Sequence, residues 1–197
     1  SCSLVGSEMC IRDRLSVIFL CAAATAQVLV GMTDTTAYFP QLEGRRVAVL
    51  ANHTAVARFG DGVPGAAADT AVRLPGTASD GTIHLVDLLH GRGFDVTGIF
   101  SPEHGFRGTA DAGEHVASSV DAATGIPIRS LYDGNTKRPS DGAMRSFDVL
   151  VVDMQDVGLR FYTYYITMLR MMDACAESGR SVIVLDLSLI HISEPTR

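Results

Sequence analysis

Short runs of apolar residues recur along the chain, separated by polar segments or by segments with helical spacing. Five of these runs are apolar at consecutive rather than alternate positions, which is typical of strands buried on both faces of a parallel sheet. They predict strands over residues 47–51, 95–100, 127–131, 147–153 and 182–185.

Two helices are predicted between these strands. The first covers residues 82–90, with Thr82 as its N-cap and Gly91 at its end. The second covers residues 162–177 and ends at Gly179. Its predicted buried face consists of Ile166, Leu169, Met172 and Ala176. Apolar strands joined by helices predict an α/β fold, in which a mostly parallel, Rossmann-like sheet carries helices on both faces.

Glycine, alanine, proline and aspartate dominate residues 60–79, which lack periodicity and are predicted to form an inserted surface loop. No predicted strand is followed by the GxGxxG fingerprint or by a Walker loop, the glycine-rich sequences that hold phosphates in α/β folds. We therefore expect no dinucleotide site and no cofactor.

The two ends of the chain are related to each other at the nucleotide level. Codons for residues 187–197 can be chosen so that their reverse complement, read in a shifted frame, encodes residues 4–13. This relation is typical of a library adapter translated in both directions, so residues 1–14 and 187–197 are interpreted as non-native and excluded from the fold. Residues 27–186 are then expected to form one domain encoded by a gene that was cut at both ends, with the C-terminal cut removing a further domain.

Residues 15–26 are apolar and end in Ala-Thr-Ala, as in the apolar core and cleavage site of a secretory signal. The segment is shorter than the roughly 20 residues that a membrane-spanning helix needs. A secreted or periplasmic protein without a membrane span is therefore expected. The alternative is a buried N-terminal helix.

Charge and cysteine content narrow the function classes. The formal net charge of −6 argues against a nucleic-acid partner, which would require a basic surface. Of the four cysteines, Cys2 and Cys10 lie in the excluded end and Cys21 lies in the apolar leader. Cys175 is then left without a disulfide partner, and its place in a predicted helix indicates a core residue.

Polar side chains follow three of the predicted strands at the point where each strand ends. The carboxyl ends of parallel strands share one edge of a sheet, where α/β proteins bind their ligands, so these groups are expected to converge there. A carboxylic acid, an imidazole and guanidinium groups within glycine-bearing loops indicate an enzyme. The residues are Asn52, His53, Glu103, His104, Arg107, Asp153, Gln155, Asp156 and Arg160.

Four segments of this edge carry a family resemblance. The sequences SPEHGFRG (101–108), LYDGNTKRP (131–139), DMQDVGLRFYTY (153–164) and Asn-His-Thr (52–54) resemble the exo-β-N-acetylmuramidase family called NamZ. The resemblance covers residues 27–186. It implies a two-domain enzyme that hydrolyses terminal, non-reducing β-linked N-acetylmuramic acid from peptidoglycan fragments.

The acid of such a reaction is predicted to be Glu103. Glycoside cleavage needs a carboxylic acid that protonates the leaving oxygen and a second group that deals with the cationic sugar transition state. His104 is the second catalytic candidate, because it or His53 can orient Glu103 or bind sugar hydroxyls. The second group is expected from the missing domain or from the substrate's own 2-acetamido group. The alternative for Glu103 is a loop carboxylate that caps backbone amides.

The remaining candidates are predicted to bind substrate. The resemblance implies a lactyl carboxylate, which Arg107 and Arg160 suit because a guanidinium offers a bidentate fork. Asp153 and Asp156 are expected to bind hydroxyls or to position an arginine, and Asp153 can equally fix the turn. The other predicted contacts are Asn52, His53, Gln155, Tyr162 and Tyr164, where a tyrosine either stacks on a sugar face or packs in the core.

Two other function classes remain open at this point. His53, Glu103, His104, Asp153 and Asp156 are ligand types suited to a zinc or manganese hydrolase, although the tight spacing of known zinc sequences is absent. A non-catalytic module that binds cell-wall sugar is the other class. Loss of turnover with a chelator favours the metal enzyme, and sugar binding without turnover favours the module.

Overall fold

The computed structural model describes residues 30–59, 75–103, 105–106, 119–131, 138–156, 158–159 and 162–189. After a 3-10 turn at Gly31–Thr33, the elements are α1 (Thr35–Leu42), β1 (Arg46–Ala51), β2 (Val56–Arg58), β3 (Thr82–His84), α2 (Leu85–Gly91), β4 (Asp95–Ser101), β5 (Ser119–Val120), β6 (Pro127–Ser130), α3 (Asp141–Arg145), β7 (Val149–Asp156), α4 (Tyr164–Glu177) and β8 (Ser181–Leu189). All five predicted strands are present.

The main sheet has six strands in the order β5-β6-β4-β1-β7-β8. Its neighbours pair in parallel except for the short edge pair β5–β6, and β2 and β3 form a separate antiparallel pair. The predicted α/β class and mostly parallel sheet are therefore confirmed. The five parallel strands β6, β4, β1, β7 and β8 leave their carboxyl ends along one edge, which is called the carboxyl edge below.

The central strand β1 shows why these runs are apolar throughout. Val47 and Val49 belong to a buried cluster that includes side chains of α1 and α2. Ala48 and Leu50 belong to a second cluster, on the opposite face of the sheet, with side chains of α3 and α4. Since neither face of β1 meets water, every position is best filled by an apolar side chain. The predicted helices on both faces are confirmed.

The start of α2 differs from the prediction. Thr82 is not its N-cap but the first residue of β3, where it pairs with Arg58. The N-cap is His84, whose Nδ1 accepts a hydrogen bond from the backbone N–H of Val86 at 3.2 Å. The apolar spacing began at Ile83, but antiparallel pairing with β2 takes up that residue.

The buried face of α4 also differs from the prediction. Leu169 and Met172, expected in the core, are 46% and 37% exposed. The helix instead buries Tyr164, Thr167, Met171, Ala174 and Cys175 against the sheet. The helix carries apolar residues on two stripes, and its packing against β7 and β8 selects the one containing Met171. Cys175 lies in the core as predicted.

The end of α4 follows the prediction. Gly179 adopts a left-handed backbone with φ 65°, which a residue without a Cβ accommodates without strain. The N–H groups of Gly179 and Arg180 donate to the carbonyls of Ala176 and Cys175 at 3.3 and 2.8 Å. This pair of hydrogen bonds satisfies two terminal carbonyls of the helix.

Several predicted segments lie outside the described residues. These are residues 1–14, the leader 15–26, most of the predicted loop (60–74) and residues 190–197. Strand β8 is longer than the predicted 182–185 and pairs with β7 as far as Leu189, three residues into the segment interpreted as adapter. Parallel pairing joins backbone groups and needs no particular side chains, so the predicted domain boundaries stay predictions.

Candidate active site at the carboxyl edge

The turn after β1 is built around Asn52, which is fully buried. Its Oδ1 accepts hydrogen bonds from the backbone N–H of Thr54 at 3.0 Å and from Thr54 Oγ1 at 2.6 Å. Its carbonyl accepts from Nε2 of His84 at 2.9 Å. Thr54 Oγ1 in turn accepts from the backbone N–H of Gln155 at 3.1 Å. Asn52 therefore fixes the turn and, through Thr54, ties the ends of β1 and β7 together.

His84 is held in one tautomer by this arrangement. Its Nε2 faces the carbonyl of Asn52, which only accepts, and its Nδ1 accepts from the backbone of Val86. These two contacts are those of a ring with a hydrogen on Nε2 that donates to Asn52. It also packs edge-on against Phe106, with ring centroids 4.8 Å apart. His84 thus supports the turns after β1 and β4, a role that no spacing in the sequence indicated.

Glu103 lies in the turn after β4. The N–H of Gly105 donates to the carbonyl of Pro102 at 3.2 Å, and Gly105 has φ 79°, a conformation that favours glycine. Oε2 of Glu103 accepts a hydrogen bond from Oγ1 of Thr163 at 2.8 Å. The partly buried carboxylate is therefore held between the end of β4 and the start of α4.

Tyr164 shows which groups surround that carboxylate. Burial raises the pKa of the Tyr164 hydroxyl. The nearby Asn52 side chain lowers this pKa, whereas Tyr162 and the charge of Glu103 raise it further. The Tyr162 and Tyr164 rings meet edge-on at 4.9 Å. Glu103 is hydrogen-bonded to Thr163, the residue before Tyr164, and Asn52 lies beside Tyr164, so these groups share one part of the carboxyl edge.

The side-chain nitrogen of Asn52 is a buried donor without a hydrogen-bond acceptor in the described part of the chain. It is close enough to Tyr164 to influence the phenol, yet it does not meet the phenol oxygen in hydrogen-bonding geometry. Buried amide groups rarely stay unpaired, because losing water without gaining a partner costs about 1–3 kcal/mol. A buried amide donor, unpaired among the described residues, therefore lies beside Tyr164.

Asp156, the last residue of β7, is buried, and its partners among the described residues are backbone N–H groups. Its Oδ1 accepts from the N–H of Gly158 at 2.7 Å, and its Oδ2 accepts from the N–H of Tyr165 at 3.2 Å. Tyr165 is the second residue of α4, so Asp156 caps this helix from outside it. In this conformation Asp156 holds the loop and the helix start in place, and a contact with substrate stays a prediction.

Asp153 does not join this group. Along β7, Val149 and Val151 face the cluster of α1 and α2, and Asp153 continues that alternation. Burial raises the pKa of Asp153 to about 7, with a further contribution from Asp186 on β8. The charge of Asp153 also contributes to the raised pKa of Tyr38, for which burial is the larger cause. Successive residues of a strand point to opposite faces of the sheet. Asp153 therefore lies on the face opposite Tyr164, whereas Val152 and Met154 share the face of Tyr164.

The remaining predicted residues have varied positions. His53 and Gln155 are exposed at the carboxyl edge. His104, Arg107 and Arg160 lie outside the described residues. Among the residues that are described, no group of three or more His, Cys, Asp or Glu side chains is arranged to hold a metal ion. None of the helices in the described part has both the length and the apolar character needed to cross a membrane.

Two cavities in the described part lie away from these residues. One, of about 480 Å³, is at the opposite edge of the sheet, next to residues 42–45 and 92–95. The other, of about 510 Å³, lies beside the edge strands β5 and β6. Neither is lined by Asn52, Glu103 or Tyr164.

Comparison with known proteins identifies relatives of this chain. A family model described as "Exo-beta-N-acetylmuramidase NamZ, N-terminal" matches residues 67–190. Peptidoglycan beta-N-acetylmuramidase NamZ of Bacillus subtilis (strain 168) is 47% identical over 102 residues, which are 51% of this chain and 24% of that protein.

Two solved structures are also similar to this chain. Two DUF1343 family proteins of Bacteroides fragilis NCTC 9343 superpose with TM-scores of 0.59 and 0.58, at 41% and 31% identity. The match covers 83% and 80% of this chain but 36% and 34% of theirs. The chain thus spans about a quarter of the curated relative and about a third of the solved ones. Because the family model matches more than half of it, the chain belongs to the family of the N-terminal region of exo-β-N-acetylmuramidase NamZ.

Proposed function

We propose that this chain forms the sheet-bearing part of a glycoside hydrolase that releases terminal, non-reducing β-linked N-acetylmuramic acid from peptidoglycan fragments. Family membership supports the reaction class, since the Bacillus subtilis relative is named for that activity. The observation that carries the proposal is the carboxylic acid of Glu103, held at the carboxyl edge by Thr163 at the start of α4, where Tyr162 and Tyr164 also lie.

Glu103 is proposed as the general acid. Cleavage of a glycosidic bond leaves an alkoxide unless the leaving oxygen receives a proton, and a positioned carboxylic acid supplies it. The turn after β4 fixes the backbone of Glu103, and Thr163 fixes one of its oxygens. Such preorganisation is what proton transfer to a bound substrate requires.

The neighbouring groups are proposed to bind the sugar. Asn52 supplies a buried amide donor that has no acceptor among the described residues, and the partly buried Tyr162 supplies a hydroxyl and an aromatic face. Tyr164 is buried in the core and supports Tyr162 through an edge-on ring contact. Arg107 and Arg160 are proposed to bind the lactyl carboxylate of muramic acid, with His53 and His104 next to the sugar hydroxyls. The group that assists at the anomeric carbon is proposed to come from polypeptide beyond the matched region or from the 2-acetamido group of the substrate.

The proposed substrate suggests a biological setting. Peptidoglycan lies outside the cytoplasmic membrane, which agrees with the signal-like sequence of residues 15–26. We propose a secreted or periplasmic enzyme of cell-wall turnover and recycling. Its partners would be muramic acid glycosides.

The Glu103→Gln variant tests the proposal in the full-length enzyme. On an alkyl glycoside of N-acetylmuramic acid, a poor leaving group, turnover should fall about 10²–10⁴-fold while binding is preserved, because only the transferable proton is lost. Glu43→Gln is the matched control, since Glu43 is exposed at the opposite edge of the sheet. A Glu103→Gln enzyme with nearly full turnover would show that Glu103 is structural. Loss of wild-type turnover with a chelator would support the metal-dependent class instead.

A further inference from the structure

Thr163 stands immediately before α4, in the position where a threonine normally caps a helix. A capping hydroxyl accepts a hydrogen bond from a backbone N–H of the first turn. The side chain of Thr163 makes no such bond, and its backbone is already close to helical, with φ −103° and ψ −6°. The hydroxyl of Thr163 therefore does not cap α4.

Asp156 caps α4 instead of Thr163. The carboxylate of Asp156 accepts from the N–H of Tyr165, the second residue of the helix, and from the N–H of Gly158 in the preceding loop. A carboxylate at this end of a helix is also favoured by the helix dipole. Because a residue from the end of β7 caps α4, the hydroxyl of Thr163 is available for another partner.

That partner is Glu103, 60 residues earlier in the chain. Oγ1 of Thr163 donates to Oε2 of Glu103 at 2.8 Å, and within the described residues no other group hydrogen-bonds this carboxylate. Threonine is branched at Cβ, which restricts its χ1 and keeps the hydroxyl in one place. The helix start therefore acts as a fixed support for the carboxylate.

Resting on the function proposed above, we propose that Thr163 is a positioning residue for Glu103. Its hydroxyl holds Oε2, so Oε1 carries the proton and faces the substrate. During cleavage the glycosidic C–O bond breaks with its electron pair passing to the leaving oxygen, which takes the proton from Oε1. Water supplies the hydroxyl group that the sugar gains, and the remaining proton of that water returns to the Glu103 carboxylate at the end of the cycle. The hydrogen bond from Thr163 then stabilises the carboxylate that remains, since donors favour the charged form.

The test compares Thr163→Val with Thr163→Ser in the full-length enzyme. Valine keeps the shape and removes the hydroxyl, whereas serine keeps the hydroxyl. On the alkyl glycoside, kcat of Thr163→Val should fall about 10- to 100-fold with little change in KM, as expected for loss of a hydrogen bond to a charged group. Thr163→Ser should restore most of kcat.

Thr167→Val is the matched control. Thr167 lies one turn further along α4, and its hydroxyl donates to the carbonyl of Thr163 at 2.9 Å instead of to Glu103. This variant should keep the wild-type kcat. Thr163→Val should also unfold at nearly the wild-type temperature, because Asp156 still caps the helix.

Two further measurements separate positioning from a general structural role. With a nitrophenyl leaving group, which needs little protonation, the defect of Thr163→Val should shrink to a few-fold. In a Glu103→Gln background, Thr163→Val should have little additional effect, because residues that act through one another are not additive.

The outcomes distinguish the two proposals. If Glu103→Gln abolishes turnover while Thr163→Val keeps full kcat, Thr163 has no positioning role and the proposed function stands. An equal loss on both leaving groups, or no rescue by serine, would also overturn the inference. If the wild type has no turnover, or Glu103→Gln retains it, the proposed function itself fails.

Discussion

Replacement of Asp153 by asparagine should stabilise the protein more at alkaline pH than at acidic pH. Asp153 is 4% exposed on the face of β7 that meets α1, and burial together with Asp186 raises its pKa to about 7. The folded protein therefore holds a proton that the unfolded chain releases near pH 4. Folding stability from this group is complete below about pH 4 and is lost as the pH rises through 7.

The magnitude follows from the two pKa values. A pKa raised from 3.8 to about 7 corresponds to roughly 4 kcal/mol between the acidic and alkaline limits. Roughly 2–3 kcal/mol of this change falls between pH 5 and pH 8. Asparagine has a similar shape and does not titrate, so the variant escapes this loss. If the asparagine amide changes the free energy of unfolding by an amount that does not depend on pH, this amount cancels when the two pH values are compared.

Urea unfolding at pH 5 and pH 8 measures the effect. The stability of Asp153→Asn relative to the wild type should rise by about 2–3 kcal/mol from pH 5 to pH 8, a relative shift of roughly 1 M in the urea midpoint. Asp148→Asn is the control. Hydrogen bonds from Arg46 lower the pKa of Asp148 to about 2, so it is ionised at both pH values in the folded and unfolded states. A pH-independent difference for Asp153→Asn would refute the argument that this carboxyl is buried and protonated.

Two other predictions concern the helix face and the extent of the enzyme. Met171→Ala should lower the free energy of unfolding in urea by about 2–5 kcal/mol, because Met171 is fully buried. Leu169→Ala, on the exposed stripe, should lower it by less than about 1 kcal/mol. Equal losses of stability would contradict the observed orientation of α4. Residues 27–186 alone should hydrolyse a muramic acid glycoside far more slowly than the full-length enzyme, because the relatives are more than twice as long as this chain and preorganised catalysis needs a complete site. Equal rates would show that the matched region is sufficient.

The candidate site shows where sequence reasoning reached its limit. The rule that parallel strands share a carboxyl edge predicted that Asn52 and Glu103 would lie at one edge, and both lie near the start of α4. The same rule placed Asp153 with them. This rule predicts at which end of a strand a residue lies, but not on which face of the sheet. Strand alternation places Asp153 on the face where Tyr38 packs. Thr163 was missed because its hydroxyl reaches Glu103 only after Asp156 has taken over the helix cap.

The sequence alone determined the class of fold, the five strands and the edge where the polar groups gather. Those features depend on local composition, since strands buried on both faces must be apolar throughout. The tertiary structure decided the start of α2, the buried stripe of α4 and the hydrogen-bond partners of Asp156 and Glu103. These depend on competition between distant segments. Ile83 can continue a helix or pair with β2, and α4 has two apolar stripes, so the choice follows from which packing buries more apolar surface and satisfies more backbone groups.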